Sequence, residues 1–303
     1  MPRVSVVIPA YAAERFITAT LDSVAAQSYR DFEIVVVDDG SPDDTQLVVE
    51  AWLRNTGVPG ICVRRPNGRI AAARNTGLEH AKGELIALLD HDDFWTPDKL
   101  ELTVAEFDAH PDTVLVGHDL EVVRDGRVLR VEHKGPAAEN MYDRLLFHAN
   151  AVSPTAATFR RDRALEVGGF REDPKFNTVE DYDFWMRLSQ AGPFRFIPRA
   201  LGSYTVVPGS ASSKVEYHHA NLESLLRDHF ASRLGPKPGF RDRLRVRRRL
   251  SFVYRSAVGA LLEPGSDRPL RRAYAKRLLR SWPFSIRNLG RALQSVLADC
   301  AGR

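Results

Sequence analysis

Three carboxylates stand within four residues at the end of an apolar stretch, in the run Leu-Leu-Asp-His-Asp-Asp that ends at Asp93. Asp90, Asp92 and Asp93 repel one another unless a cation or hydrogen-bond donors neutralise them. Hard oxygen ligands at a strand end suit Mg²⁺ or Mn²⁺, and such an ion would bridge to a diphosphate. The alternative is that Asp92 and Asp93 cap the next helix. We favour the metal site because Thr96 already offers a cap.

A second pair of acids, Asp38 and Asp39, also follows an apolar run. Asp-Gly-Ser-Pro by itself is an ordinary turn and helix start. Its place after the second strand of a mononucleotide-binding half changes the interpretation, because a carboxylate there can accept hydrogen bonds from a base or a ribose.

A third acidic pair, Glu180-Asp181, opens the predicted helix EDYDFWMRL. Acids in a first helical turn complement the helix dipole, which is the ordinary explanation. The same dipole lowers the pKa of Asp181, whereas burial under Tyr182 and Trp185 would raise it. A carboxylate of raised pKa is suited to take a proton from an attacking hydroxyl group.

The elements that must position these acids alternate between strands and helices. VSVVIPAY, FEIVVVD and ELIALLD are predicted strands, each followed by a helical pattern. Alternation of this kind indicates a doubly wound α/β sheet whose ligands bind at the carboxyl ends of the strands. Helices are expected to start at Ser41-Pro42 and at Thr96-Pro97-Asp98. A hairpin is expected around Asp125-Gly126.

Composition excludes several classes of protein. The chain has 303 residues and 44% hydrophobic residues, and no apolar run reaches the roughly 18 to 20 residues needed to span a bilayer. The start lacks the layout of a signal peptide, so we expect a cytoplasmic protein. Neither Gly-x-Gly-x-x-Gly nor Gly-x-x-x-x-Gly-Lys-Ser/Thr is present, which disfavours a dinucleotide-binding fold and a P-loop NTPase.

Charge is distributed unevenly along the chain. Residues 241–303 carry 16 Lys and Arg against 4 Asp and Glu, a net +12, whereas residues 1–240 carry −8. The basic segment predicts helices, broken by prolines, in which arginines alternate with apolar residues. It fits a helix lying on an anionic membrane surface. It fits equally well a helical subdomain packed on the rest of the chain or on a partner chain, including a homo-oligomer. Nucleic acid is the weaker candidate because no recognition module accompanies the arginines.

Six segments in order resemble the inverting family-two glycosyltransferases of the GT-A fold. They are VSVVIPAY, DFEIVVVDDGS, GRIAAARNTG, LLDHDDFWTPDKL, GGF at 168–170 and EDYDFWMRL. The resemblance spans about residues 3 to 210. It implies a Rossmann-like doubly wound mixed sheet, a nucleotide-diphosphate sugar as donor, transfer with inversion of configuration, and Mg²⁺ or Mn²⁺ as cofactor.

The resemblance also assigns roles to individual residues. Pro9, Tyr11 and Asp39 contact the nucleobase and its ribose, with Arg74 near the base or the diphosphate. Asp90, Asp92 and Asp93 match the Asp-x-Asp metal site, and Asp92 also counts among the donor-binding residues. Asp181 matches the catalytic base. Gly169, Glu180 and Trp185 fall in the region of the acceptor or the donor sugar.

The chain departs from the family pattern at two places. Tyr-Arg-x-His is replaced by Tyr204-Thr205-Val206-Val207, which removes a histidine that can approach the metal. His218 or His219 could substitute for it, but we favour a solvated surface histidine at each of these positions. The first motif reads Tyr-Ala where relatives often have Tyr-Asn. The Gln-x-x-Arg-Trp motif of processive synthases is absent, so we expect one sugar per encounter.

The sequence therefore predicts a glycosyltransferase domain over residues 1–215 and a basic helical C-terminal extension over 216–303. The expected reaction is transfer from a nucleotide sugar, a UDP-sugar first, to the hydroxyl of a saccharide or lipid-linked acceptor in cell-surface polysaccharide or glycolipid synthesis. Two alternatives stay open. One is a catalytically weak or silent sugar-nucleotide-binding protein, and the other is a nucleotidyltransferase.

Overall fold

The computed structural model describes residues 1–206, 215–263 and 266–301. Within the chain two compact units are distinguished, one formed by Met1–Leu145 and Asn150–Val207, the other by Leu146–Ala149 and Pro208–Arg303. The first is an α/β unit and the second is helical. The prediction of an α/β fold with C-terminal helices is thus confirmed.

The first unit is built on a mixed sheet. Its strands are β1 (Val4–Ala10), β2 (Phe32–Asp38), β3 (Gly60–Arg64), β4 (Leu85–Leu88), β5 (Phe94–Trp95), β6 (Leu115–Arg124), β7 (Arg127–Glu132), β8 (Thr158–Arg160) and β9 (Phe194–Thr205). They lie in the order β3-β2-β1-β4-β8-β6-β9-β5, and β7 pairs with β6. The first four strands in this order are parallel to one another, whereas β8 runs antiparallel to both β4 and β6. The parallel half corresponds to the alternation of strands and helices that the sequence predicts.

Helices and short 3₁₀ turns connect the strands. The helices are α1 (Ile17–Ala25), α2 (Thr45–Thr56), α3 (Arg69–His80), α4 (Lys99–Ala109), α5 (Met141–Phe147), α6 (Arg161–Glu166) and α7 (Glu180–Leu188). Two 3₁₀ turns cover Pro154–Ala156 and Pro174–Phe176. Every residue of β1 is buried, because helices cover both faces of the parallel half.

The predicted helix starts at Ser41 and Thr96 are wrong. Helix α2 begins at Thr45, and Ser41 Oγ instead accepts a hydrogen bond from the backbone N–H of Ala12. Helix α4 begins at Lys99, and the Thr96 hydroxyl donates to Asp98 rather than capping the helix. In both segments the polar side chain bonds to a neighbouring group before the helix starts, as short polar residues often do.

The predicted hairpin, formed by β6 and β7, is confirmed. Asp125 and Gly126 have φ values of 49° and 71°, the pair of positive angles that a two-residue hairpin turn requires. Strand β9 is one irregular strand along β6, with shifts of register near Asp119.

Among its described residues, the second unit has four long helices: α8 (Val215–Leu234), α9 (Phe240–Ala260), α10 (Arg268–Ser281) and α11 (Ile286–Ala301). Pro269 does not break a helix but stands in the first turn of α10, where proline is tolerated. Glu223 accepts hydrogen bonds from Arg227 and from the Tyr254 hydroxyl, and Arg277 lies 3.2 Å from its other oxygen. This one carboxylate therefore joins α8, α9 and α10. None of the described helices has the length and hydrophobicity to cross a bilayer.

Candidate active site

Three parallel strands end at the same edge of the sheet. In the register of the sheet, Ala10 of β1 lies beside Asp38 of β2, and Val7 of β1 lies beside Leu88 of β4. Pro9 is buried in β1, and its carbonyl lies 3.2 Å from His91 Nδ1. We call the carboxylates after the second strand the β2 edge (Asp38 and Asp39) and those after the fourth strand the β4 edge (Asp90, Asp92 and Asp93).

The β2 edge is neutralised by neighbouring groups of the chain. Asp38 is fully buried, accepts from the backbone N–H of Ser41 and lies 3.1 Å from Arg64. Asp39 is 4% exposed, and its Oδ1 accepts from Arg65 at 3.1 Å and from the backbone N–H of Gly68 at 3.0 Å. Burial raises the pKa of Asp39 even though these donors oppose the shift. The edge therefore offers a desolvated oxygen acceptor rather than an uncompensated charge.

The loop after β1 is fastened to the loop after β2. The backbone N–H groups of Ala12 and Ala13 donate to Ser41 Oγ and Thr45 Oγ1, at 3.1 and 2.8 Å. This turn holds Ala12 at φ 50°, in the left-handed region that favours asparagine and glycine. Tyr11, just before it, is 49% exposed. The phenol ring of Tyr11 is therefore open to a ligand at the sheet edge.

Arg74 connects the β4 edge to the start of α7. Its guanidinium is 1% exposed and donates to Glu180 Oε1 at 2.8 Å and to Asp90 Oδ1 at 3.1 Å. It also lies 5.5 Å from the centre of the Phe170 ring. This geometry differs from the predicted contact with the base or the diphosphate. Buried between two acids, Arg74 holds the Asp90 and Glu180 segments together and has no exposed group to offer a ligand.

The three acids of the β4 edge have different surroundings. Asp93 is 1% exposed, and its two oxygens accept from Thr155 Oγ1 at 2.5 Å and from the backbone N–H of Thr205 at 2.8 Å. Asp90 Oδ1 accepts a hydrogen bond from Arg74. Within the described residues, no other residue donates a hydrogen bond or forms an ion pair with the carboxylate of Asp92. Burial and the neighbouring Asp90 charge raise the pKa of Asp92.

Thr155 is a residue that sequence reasoning missed. Its hydroxyl lies between Asp93 Oδ2 and the backbone N–H of Asp90, and thereby orients both ends of the acidic run. Its carbonyl accepts from Trp95 Nε1 at 2.8 Å, and the buried Lys99 Nζ lies 3.8 Å from the centre of the Trp95 ring. Nothing in the run SPTAATF announces such a role, because the contact joins segments more than 60 residues apart.

Glu180 and Asp181 occupy the first turn of α7, as predicted. Burial raises the pKa of Glu180 to about 7, against the opposing charge of Arg74. Burial also raises the pKa of Asp181, whose Oδ1 accepts from the backbone N–H of Tyr182. Desolvation thus outweighs the charge of Arg74 and the backbone hydrogen bond in setting the pKa of Asp181. Glu180 Oε2 is buried and has no hydrogen-bond partner among the described residues.

The predicted acceptor-side residues lie inside the unit. Trp185 is fully buried among Phe159, Phe170 and Phe184, with ring centres 5.1 to 6.3 Å away. Trp185 therefore anchors α7 in the core of the unit and does not face an acceptor. Gly169 is buried at φ 62°, and a Cβ there would come within 2.7 Å of Asn75 Oδ1. Side-chain–backbone hydrogen bonds between Asn75 and Phe170 hold this loop against α3.

The metal prediction fits only part of the acidic run. Among the described residues, no three His, Cys, Asp or Glu side chains come together as a ready-made metal group. Asp93 is the poorest candidate ligand because both its oxygens are engaged. Asp92, with the second oxygen of Asp90, can supply one or two carboxylate ligands. Mg²⁺ is commonly bound by that number of carboxylates together with the phosphates of a substrate.

The predicted substitutes for the missing histidine lie on α8. Val207 itself falls outside the described residues. His219 is 7% exposed, its Nδ1 lies 2.9 Å from the Val215 carbonyl, and burial lowers its pKa. His219 is thus buried, which corrects the expectation of a solvated surface residue.

Comparison with known proteins identifies the family of this chain. Residues 5–168 match the model of glycosyl transferase family 2, more than half of the chain. The chain is 30% identical over 212 residues to the amylovoran biosynthesis glycosyltransferase AmsB of Erwinia amylovora, covering 67% of this chain and 69% of AmsB. It spans only 23% of the length of two other curated relatives.

Two solved structures share the fold. One is S. aureus TarS (residues 1–349) in complex with UDP-GlcNAc, with a TM-score of 0.66, 19% identity and coverage of 99% of this chain and 92% of that one. The other is the mannosyltransferase PcManGT of Pyrobaculum calidifontis in complex with GDP-Man and Mn²⁺, with a TM-score of 0.60, 21% identity and coverage of 100% and 88%. The GT-A fold is therefore shown, and the chain belongs to glycosyl transferase family 2.

Proposed function

We propose that this protein transfers a sugar from a nucleotide-diphosphate sugar, a UDP-sugar first, to an acceptor hydroxyl with inversion of configuration. The observation that carries the proposal is the bridge formed by Arg74. It joins Asp90 of the β4 edge to the Glu180-Asp181 turn, which brings the proposed cation-binding carboxylate near a carboxylate of raised pKa.

Asp181 is the proposed catalytic base. Its raised pKa makes it a better proton acceptor than an ordinary exposed aspartate. Glu180 is less suited to this role because one oxygen is committed to Arg74. A single carboxylate that deprotonates the acceptor leads to one in-line displacement, and one displacement inverts the anomeric carbon.

Asp92 and Asp90 are the proposed ligands of Mg²⁺ or Mn²⁺. A bound divalent ion would supply Lewis-acid stabilisation of the charge that develops on the departing diphosphate. Arg74 fixes the position of Asp90 by ion pairing, and Thr155 fixes the backbone at Asp90. Asp93 positions the run from within the fold through Thr155 and Thr205.

The β2 edge is the proposed site of the nucleoside. Tyr11 offers an exposed ring on which a base can stack, and the buried Asp39 offers an acceptor for a base N–H or a ribose hydroxyl. The compensated charge of this edge suits a neutral hydrogen-bonding group. The proposed acceptor is a saccharide or a lipid-linked sugar of a cell-surface polysaccharide or glycolipid, reached from the cytoplasm.

A screen of nucleotide sugars tests the proposal. The melting temperature is measured with each donor in the presence of Mn²⁺ and again with EDTA. At a hundred times its Kd, a ligand of the folded state adds about 2.7 kcal/mol to the unfolding free energy. We expect a uridine diphosphate sugar to stabilise the protein only with Mn²⁺, and to yield UDP and a product of inverted configuration by NMR. No stabilising nucleotide sugar, or a product that retains configuration, would contradict the proposal.

A further inference from the structure

Helix α11 is turned with its apolar side outward. Its buried residues are small or polar: Asn288, Ala292 and Ser295. Five larger apolar residues are instead 51% to 85% exposed, and we call them the apolar stripe: Ile286, Leu289, Leu293, Val296 and Leu297. At about 100° per residue, the stripe covers an arc of roughly 100° of the helix. A helix that packs only on its own fold would bury this side.

A cleft lined by arginines lies beside this helix, between α9, α11 and the segment that joins α10 to α11. It has a volume of about 490 Å³. We call it the arginine cleft, and its principal lining residues are Arg248, Phe252, Arg255, Trp282, Arg287 and Asn288. None of the described residues that line it is acidic. The cleft thus combines positive charge with aromatic surface.

Arg245 of the cleft forms an ion pair with Asp242 at 3.6 Å, whereas Arg248, Arg255 and Arg287 form none with the described residues. Arg255 donates to Asn288 Oδ1 at 3.3 Å, and Asn288 donates to the Trp282 carbonyl at 3.0 Å. Burial and the nearby charges of Arg287 and Arg291 lower the pKa of Arg255. Like charges crowded in this way favour an anion in the cleft. Phosphate is an anion that guanidinium groups bind with good geometry.

We propose that the apolar stripe and the arginine cleft together dock this protein on an anionic phospholipid bilayer, with a lipid phosphate in the cleft. Arg287 and Arg291 lie on α11 outside the stripe, about 80° and 120° around the helix from its nearest residue, Leu297, and residues 284–298 contain no acid. A helix with an outward apolar face and arginines on its polar side complements an acyl surface topped by anionic headgroups. A second copy of the chain complements it less well, because residues 241–303 carry a net charge of +12 that would repel its own copy.

Flotation of the full chain with vesicles tests the proposal. Vesicles of phosphatidylcholine alone are compared with vesicles that also contain phosphatidylglycerol. We expect binding to the anionic vesicles only, and weaker binding at high salt because exposed charges are screened. Arg248→Gln and Arg287→Gln should each weaken binding about fivefold. Leu289→Ser with Leu293→Ser should weaken it about tenfold or more.

Matched controls use exposed residues of the first unit. Leu47→Ser on α2 replaces a leucine that is 61% exposed, and Arg54→Gln replaces an arginine whose side chain is 69% exposed. Both should float like the unchanged protein. Circular dichroism and melting temperature establish that each variant is folded.

Three outcomes would overturn the proposal. The first is a full chain that ignores anionic vesicles, or whose leucine variant floats as well as the unchanged protein. The second is a dimer in size-exclusion chromatography that the leucine variant alone converts to a monomer, which would make the stripe an interface between copies. The third is stabilisation by inorganic pyrophosphate that Arg248→Gln abolishes, without any flotation, which would assign the cleft to a soluble anion. Donor turnover is measured separately, so failure here leaves the glycosyltransferase proposal standing.

Discussion

The two acidic edges of the sheet have similar sequences but different electrostatic surroundings. At the β2 edge, Arg64, Arg65 and backbone N–H groups compensate both carboxylates. At the β4 edge, a single buried cation, Arg74, is shared between Asp90 and Glu180, and Asp92 is left without a partner among the described residues. The carboxylates of the β2 edge are thus compensated within the protein, whereas Asp92 of the β4 edge is available to a ligand.

The largest expected effect comes from Asp181→Asn, in the turn that Arg74 joins to the β4 edge. An amide cannot take the acceptor proton, and a general base contributes at least about a hundredfold to rate. We expect kcat to fall by at least that factor while the donor still raises the melting temperature. A variant that keeps its rate would refute Asp181 as the base.

Replacing one carboxylate at each edge tests whether the two edges differ in function. Asp92→Asn should abolish the Mn²⁺-dependent part of donor stabilisation and leave the fold intact. Asp38→Asn should lower the unfolding free energy by about 1–3 kcal/mol, because Arg64 loses its buried partner. Its Mn²⁺ response should persist. Thermal shift with and without Mn²⁺ measures both variants, and a reversed pattern would contradict the assignment of the two edges.

The pH dependence of stability sharpens the role of Glu180. Its pKa is about 7 in the folded protein against 4.5 as the reference, so the folded state binds more protons between these values. The contribution of Glu180 to the unfolding free energy therefore falls as pH rises from about 4.5 to about 7. Glu180→Gln should flatten the melting temperature over this interval, and Glu79→Gln, exposed on α3, should not. An unchanged slope in Glu180→Gln would count against the buried carboxyl.

The smallest expected effect concerns the loop of the β2 edge. Ala12 has φ 50°, and asparagine adopts this conformation more readily than alanine. Ala12→Asn should raise the unfolding free energy by about 0.5 kcal/mol. Ala19→Asn, at an exposed position of α1, should lower it because asparagine is a poorer helix former. Chemical denaturation compares the two, and equal changes would argue that the turn is unstrained.

The sequence predicted the elements well where local patterns determine them. Buried strands, the Asp125-Gly126 turn and the start of α7 follow from hydrophobic periodicity and turn chemistry. The starts of α2 and α4 were wrong because Ser41 and Thr96 bond to Ala12 and Asp98 instead of to a helical N–H. Local propensity does not include such competing partners.

Site residues were predicted by type more reliably than by role. Acids at strand ends are visible in the sequence, and so is Arg74. What each one contacts depends on chain segments far apart, such as the 106 residues between Arg74 and Glu180. Trp185 is an example. The sequence alone does not distinguish an aromatic residue that faces a ligand from one that packs in the core.

The outward leucines of α11 also bear on how the protein behaves during purification. Away from a bilayer, repulsion between the net positive charges of residues 241–303 opposes contact between the apolar stripes of separate molecules. Sulfate weakens that repulsion and at the same time strengthens apolar association. We therefore expect the protein to stay dispersed at low salt and to aggregate reversibly as ammonium sulfate is added. Leu289→Ser with Leu293→Ser should shift that threshold upward.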